Sequence, residues 1–279
     1  MAGPRTRRRD LDNLSRLREF LATHPRWFVL TGAGISTDSG IPGYRDENGE
    51  WRHPAPVTLQ EFMRSEHARR RYWVRSMAGW PRFARAEPNV AHEALATLEA
   101  AGRLTHIVTQ NVDGLHHRAG SRAVIELHGN LGRVVCLGCG DTQARAALQH
   151  ALERDNPGFK GPAAPLAPDG DASVDPPDLE QLRVPECARC GGILKPDVVF
   201  FGEQVPRPRV EAAFAALERA DGALVVGSSL TVYSGYRFCV RARDLGKPIV
   251  AVNRGRTRAD PLFAIKVDRG CAEALAGLA

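Results

Sequence analysis

The sequence contains no apolar run approaching the roughly 20 residues that a membrane helix needs. Its first apolar stretch, Trp27–Leu30, is far shorter, and no signal-peptide core follows the arginines near the start. Neither a membrane span nor secretion is expected, and the default setting is a reducing, cytoplasmic one. Aromatic residues are scarce, at 6%, and form no series on which bases could stack. No recognisable nucleic-acid module is present either, so nucleic acid is not an expected partner. A large excess of one charge is also missing. The formal charge is +6, but Arg5, Arg7, Arg8 and Arg9 supply four of these before the first acid, leaving +2 for the remainder. That basic start could touch an acidic surface, whereas the body has no strong net charge. No internal repeat is evident. What is present is a chain of 279 residues, 43% of them hydrophobic, enough for one large or two modest folding units with a real core.

Short apolar runs alternate with helix-forming stretches. Trp27–Thr31, Thr105–Thr109, Ala223–Gly227 and Pro248–Val252 are strand-like, while Pro88–Ala101 and Arg209–Ala220 carry alanine-rich helical patterns. Apolar strands separated by helices mark a parallel sheet covered on both faces. The expected fold class is α/β, a Rossmann-like parallel sheet domain with a smaller lobe inserted into it. Residues 1–25 read as a basic tail and first helix, and 26–44, 88–128 and 197–279 as the sheet domain. Residues 45–87 read as a helical insertion and 129–196 as a second insertion, whose middle, around 157–177, is rich in Pro, Gly and Asp and lacks periodicity.

Open parallel sheets bind ligands beyond the carboxyl ends of their strands, and the polar clusters fall there. Gly32-Ala33-Gly34-Ile35-Ser36 follows the first strand and precedes Ser39-Gly40-Ile41-Pro42. Glycines here would let backbone approach a phosphate or dinucleotide, or else make a tight structural turn. The third glycine of the usual dinucleotide fingerprint is missing, as is an acid about twenty residues on. Gly227-Ser228-Ser229 and Asn253 end two further strands and could add hydroxyls and an amide for phosphates and a ribose. Gln110, Asn111, Val112, Asp113 and His116 begin where another strand ends; they read as a polar loop with a chemical purpose, or as loop capping. Of nine histidines, His128 stands out, because it follows an apolar stretch at the border of the second insertion, where a cleft is expected. Its near-neutral reference pKa suits a general base.

Four of the six cysteines form two pairs, Cys136-Leu-Gly-Cys139 and Cys187-Ala-Arg-Cys190, each followed by glycine and separated by 47 residues. They read as knuckles of one structural Zn2+ site that pins the insertion. Four protein thiolates leave no open position for water, so this zinc is expected to hold the lobe and not to attack a substrate. Cys239 and Cys271 read as buried thiols. Lys195 to Glu203 leaves the zinc lobe with an apolar centre that reads as buried strand, as an edge offered to a peptide, or as both.

Taken together and in order, these motifs resemble the sirtuin (Sir2) family. GAGIS at 32–36, SGIP-x-YR at 39–45, TQNVDGLH at 109–116, HG at 128–129, the cysteine pairs, VVFFGE at 198–203, GSSL at 227–230 and VN at 252–253 carry the resemblance. GWP at 79–81, LAPDGD at 166–171, LKPDVVFFGE at 194–203 and SLTVYSGYRF at 229–238 are most similar to the mitochondrial SIRT-four type and its bacterial relatives. Departures are Ser234 in place of a familiar proline, Tyr44 where many members have phenylalanine, and Gly43 where many have aspartate.

The resemblance implies an NAD-dependent protein lysine deacylase in which NAD is consumed as cosubstrate. It places Ala33, Gly34, Arg45, Gln110, Gly227, Ser228 and Asn253 against the cofactor. Ser36, Ile41, Asn111, Val112 and Asp113 would hold the nicotinamide ribose and amide, with Tyr44 covering the reacting ribose. Val199, Phe200, Gly202, Glu203, Leu230, Val232 and Tyr233 would flank the acylated peptide. His128 and Asn111 are the implied catalytic residues. In the implied reaction the acyl oxygen displaces nicotinamide, a cationic alkylimidate forms, and His128 accepts a proton through the ribose hydroxyls before water releases lysine and O-acyl-ADP-ribose. Protein mono-ADP-ribosylation and a noncatalytic NAD-responsive module are the alternatives. Tyr72 and Arg75, three apart on an expected helix, resemble the pair with which desuccinylating sirtuins recognise acidic acyl groups; Arg69, Arg70 and Arg71 nearby favour the plainer reading of Arg75 as part of a solvated basic face. A monomer with an acylated lysine in a protein or peptide as its partner is expected.

Overall fold

A computed structural model describes residues 4–44, 46, 50, 56–159, 167–172, 174 and 176–277, with side chains from residue 13 onward. In chain order the elements are α1 (Pro4–Thr23), β1 (Trp27–Thr31), α2 (Leu59–Arg64), α3 (Glu66–Phe83), α4 (Val90–Ala100), β2 (Leu104–Thr109), α5 (Leu115–Arg118) and β3 (Val124–Glu126). There follow β4 (Gly129–Cys136), β5 (Thr142–Ala144), α6 (Arg145–Asp155), β6 (Leu194–Val198), α7 (Arg207–Glu218), β7 (Gly222–Val226), α8 (Tyr233–Asp244), β8 (Ile249–Val252), β9 (Ile265–Val267) and α9 (Cys271–Leu275).

The α/β class is as expected. Six parallel strands form one sheet in the order β3-β2-β1-β7-β8-β9. The central strands are apolar throughout because both faces are covered, and the two-residue period sorts them. Trp27, Val29, Leu224, Val226, Val250 and Val252 pack on one side with Leu17, Leu95 and Leu275. Phe28, Leu30, Ala223, Val225, Ile249 and Ala251 pack on the other with Ala216, Leu217 and Phe238. Helices α1, α4 and α9 thus cover one face, and α7 and α8 the other.

The register sets the site. Thr31 pairs with Thr109 and with Val226, and Val226 pairs with Val252. All four strands therefore end on one line, and Gly32, Gln110, Gly227 and Asn253 emerge beside one another. Winding reverses between β1 and β7, which is where an open sheet leaves a crevice.

A second, antiparallel sheet, β5-β4-β6, carries the cysteines. Its apolar face shares a core with the helices before it. Phe62, Trp73, Val74 and Met77 from α2 and α3 are buried with Val134, Leu148, Leu152 and Leu194. The long excursion returns as residues 167–172, which run across α3. A Cβ on Gly79 would lie 2.1 Å from the Gly170 carbonyl oxygen, so only a bare Cα at 79 admits the loop. Ala172 N–H also donates to the Arg75 carbonyl at 3.1 Å.

Helix boundaries follow capping chemistry more than apolar pattern. The expected helix from Pro88 begins at Val90, because Asn89 caps it by accepting from Ala91 N–H at 2.9 Å. Tyr233, expected only to flank the peptide, is the first residue of helix α8.

Candidate active site

The line of strand ends opens into one cavity of about 860 Å³ between the two sheets' lobes. Its walls include Ala33, Gly34, Tyr44, Tyr72, Gln110, Asn111, Val112, His128, Val199, Phe200, Gly202, Glu203, Gly227, Ser228, Leu230, Val232, Tyr233 and Asn253, all drawn from the expected set. A recess of about 20 Å³ beside it is lined by Ser36, Ile41, Asp113 and Pro168 together with Tyr44 and Asn111. Arg45 lies outside the described residues.

The glycine loop does something the sequence did not specify. Gly34 N–H donates to the Gly227 carbonyl at 2.8 Å, and a Cβ on Gly34 would meet that oxygen at 2.8 Å. Gly227 itself has φ +62. The two glycines weld the turns after β1 and β7, leaving the polar side chains to face the cavity. Gln110 Nε2 donates to Ser228 Oγ at 2.7 Å and to the Thr31 carbonyl at 3.2 Å. Asn89, besides capping α4, donates from Nδ2 to the Ile35 carbonyl at 2.8 Å and to Ser39 Oγ at 2.9 Å, bracing the same loop.

In the recess Ser36 Oγ donates to Asp113 Oδ2 at 2.7 Å, and Asn111 Nδ2 donates to Ser36 Oγ at 3.0 Å. Leu115 N–H holds the other carboxylate oxygen at 2.9 Å. Burial raises the Asp113 pKa despite these donors. Tyr44 closes the recess, and burial chiefly, with Asp169, Asp171 and Asp113 nearby, pushes its phenol well above the ordinary value. The side chain is therefore neutral near pH 7. His116 lies behind the sheet, with Nε2 2.9 Å from Thr31 Oγ1. Burial holds it neutral, and it is a core group.

His128 sits where β3 ends and β4 begins. Its Nδ1 is 3.0 Å from the Gln110 carbonyl oxygen and its Nε2 2.8 Å from Ser234 Oγ. A carbonyl can only accept, so Nδ1 carries the proton and Nε2 is the basic lone pair. Burial foremost, with Arg237 and Arg209 adding positive charge, brings its pKa down to about 4 against the upward pull of the Gln110 carbonyl. The ring is therefore neutral near pH 7 and able to accept a proton.

The 198–203 segment is held from both sides. Val199 N–H donates to the His128 carbonyl at 2.8 Å and Leu59 N–H to the Phe201 carbonyl at 3.0 Å. Lys195, 3% exposed, pairs with Glu203 at 3.0 Å, and Glu203 also accepts from Phe200 N–H at 2.8 Å. Lys195 and Ser234 were missed as site supports. A lysine at the start of an apolar strand, with an acid eight residues on, was the available signal for the first. Tyr72 and Arg75 are not brought together at the cavity. Tyr72 lines it beside Phe62 and Phe200, whereas Arg75 Nε donates to the Val174 carbonyl at 3.1 Å and is not among the wall residues.

The four cysteine sulfurs lie within 4.8 Å of one another. Cys136 and Cys190 are 3.5 Å apart and Cys139 and Cys187 3.7 Å, close to the edge of about 3.8 Å for a tetrahedron with Zn–S bonds of about 2.3 Å. The donor set fits a structural zinc.

A model of the Sir2 family matches residues 32–234. This chain belongs to that family. An NAD-dependent protein deacetylase of Xanthomonas campestris pv. campestris (strain 8004) is 58% identical over 262 residues, 94% of this chain and 89% of the relative. One from Bordetella bronchiseptica is 54% identical over 266 residues, 95% of this chain and 97% of the relative. Among solved structures, one described as "Structural Basis for the Mechanism and Regulation of Sir2 Enzymes" is 32% identical with a TM-score of 0.74, covering 96% of each chain. Another, described as "Sir2-p53 peptide-NAD+", is 30% identical with a TM-score of 0.73, covering 94% of this chain and 95% of that one.

Proposed function

We infer that this sirtuin is an NAD-dependent protein lysine deacylase that yields nicotinamide, free lysine and O-acyl-ADP-ribose. The observation that carries the inference is a neutral His128, its lone pair at Nε2, on the wall of a cavity lined by the ends of four parallel strands. NAD, when bound, supplies a glycosidic carbon that can exchange nicotinamide for the acyl oxygen. The residues supply everything else. Gln110, Ser228 and Asn253 orient the cosubstrate along the strand ends. Ser36, Asn111 and Asp113 form one hydrogen-bonded unit that positions the nicotinamide end, and Tyr44 excludes water there. His128 takes a ribose hydroxyl proton at Nε2.

The 198–203 segment and residues 230–233 flank the peptide. Val199 and Phe201 already spend backbone groups on His128 and Leu59, which fixes the segment's edge before a peptide arrives. A division into a sheet domain (26–44, 88–128, 197–279), a helical insertion (45–87) and a zinc insertion (129–196) is the domain scheme we favour, with a monomer as the working unit. A cytoplasmic setting agrees with cysteines that must stay reduced to bind metal. No described helix is long and apolar enough to cross a membrane.

His128→Ala tests the assignment. NAD binding and nicotinamide exchange should persist while peptide turnover falls at least ~100-fold, the range for loss of a general base. A folded, zinc-loaded variant with parent-like turnover would refute it.

A further inference from the structure

Ser234 stands at the start of α8, where a serine hydroxyl ordinarily bonds to backbone of its own first turn. Here the hydroxyl goes elsewhere. The residue is 8% exposed, and its Oγ lies 2.8 Å from His128 Nε2. Since Nδ1 must keep its proton for the Gln110 carbonyl, Nε2 can only accept, and Ser234 must be the donor. The two bonds hold opposite sides of one ring. They disfavour the flipped ring, which would set ring carbons against both partners, and the Gln110 carbonyl disfavours the other tautomer, which would set a lone pair against its oxygen.

The fold supports this placement at close range. A Cβ on the next residue, Gly235, would meet Gln110 Oε1 at 2.4 Å. Helix α8 thus rests directly on the residue that grips the far side of the imidazole. The charged groups bearing on the ring are Arg237, from the next turn of α8, and Arg209, from α7. Arg209 is itself tied to Asp197 at 3.5 Å. Neither arginine orients the ring, since the ring's hydrogen bonds go to Gln110 and Ser234 and the two arginines act on it only through their charge.

We propose that Ser234 is a positioning residue for the base, whose hydroxyl keeps Nε2 aimed into the cavity until a ribose hydroxyl of the cosubstrate takes its place as donor. In that exchange the ribose O–H proton passes to Nε2 and its electron pair stays on the ribose oxygen, free to attack the acyl carbon. Ser234 retains its own proton throughout. The proposal rests on His128 being the base.

The test compares Ser234→Ala and Ser234→Thr with the parent in the full-length, zinc-loaded protein. Imidazole 15N NMR reads the His128 tautomer and titration, and separate assays read nicotinamide exchange and turnover of an acetyl-lysine peptide. In Ser234→Ala the Gln110 carbonyl should still hold the proton on Nδ1. The titration should rise by about one pH unit, because a donor that favoured the neutral ring is gone. Turnover should drop about 10-fold, with exchange changed less than about twofold. Threonine, which keeps the hydroxyl, should restore both. A Ser234→Ala protein with unaltered titration and turnover overturns the proposal, as does one whose exchange falls in step with turnover. His128→Ala in the same assays separates the two readings. Parent-like turnover there removes the base and this role with it, whereas an inactive His128→Ala beside a parent-like Ser234→Ala leaves the base and removes only Ser234.

Discussion

Arg75 shows how far a residue's meaning depends on what the chain lays across it. Its spacing from Tyr72 fits a shared face of α3, but the returning loop reaches it before the cavity does: its guanidinium donates to the Val174 carbonyl and its own carbonyl accepts from Ala172. Acids also crowd this end of the site, with Asp169 on the cavity wall and one carboxylate oxygen of half-buried Asp171 out of reach of solvent nearby. Burial and Asp169 push the Asp171 pKa well up, and Arg75 and Arg145 pull against them. Arg75→Ala should therefore slow turnover of succinyl-lysine and acetyl-lysine peptides by the same factor, through a loosened loop. A loss confined to the acidic acyl group in paired peptide kinetics would show that the guanidinium serves the substrate. His128 and the four cysteines were legible because few other residue types could do their chemistry at those spacings. Ser234 and Lys195 were not, since a hydroxyl and a buried ammonium take their roles from partners 106 and 8 residues away.

At the scale of elements, strands were easier to read than helices and loops. The apolar runs of β1, β2, β7 and β8 follow from burial on both faces, which the sequence states outright. The short β9, with a burial pattern of one intermediate residue between two buried ones, has too few residues to show a period. Helix α8 was hidden because its start also forms the cavity rim, where exposed Val232 and Tyr233 interrupt the apolar pattern. The zinc lobe is the element most dependent on something other than its own core. Metal removal by a strong chelator should raise amide hydrogen exchange across β4, β5 and β6 and abolish peptide turnover, while the six-stranded sheet stays protected. Elemental analysis should find one zinc per chain beforehand. A zinc-free protein with unchanged exchange and turnover would show that the four thiolates do not hold the lobe.

For the whole molecule, the consequence of the topology is a division of labour. Parallel strands bring four chemically distinct loops to one line, and on the opposite wall Lys195 of the metal lobe holds Glu203 while the His128 carbonyl of the sheet domain holds Val199. Sequence order alone showed that such loops existed. Their meeting required the register of β1 with β2 and β7, which no local pattern encodes. Removal of nicotinamide is common to acyl transfer and to ADP-ribosylation of a protein, so the fate of the ribose decides between them. The most direct measurement is a mass-resolved balance of every product after incubation with NAD and an acetyl-lysine peptide. Deacylation requires nicotinamide, free-lysine peptide and O-acetyl-ADP-ribose in equal amounts, with His128→Ala releasing none of the last two. Stable ADP-ribose on protein beside a peptide that is still acetylated would contradict it.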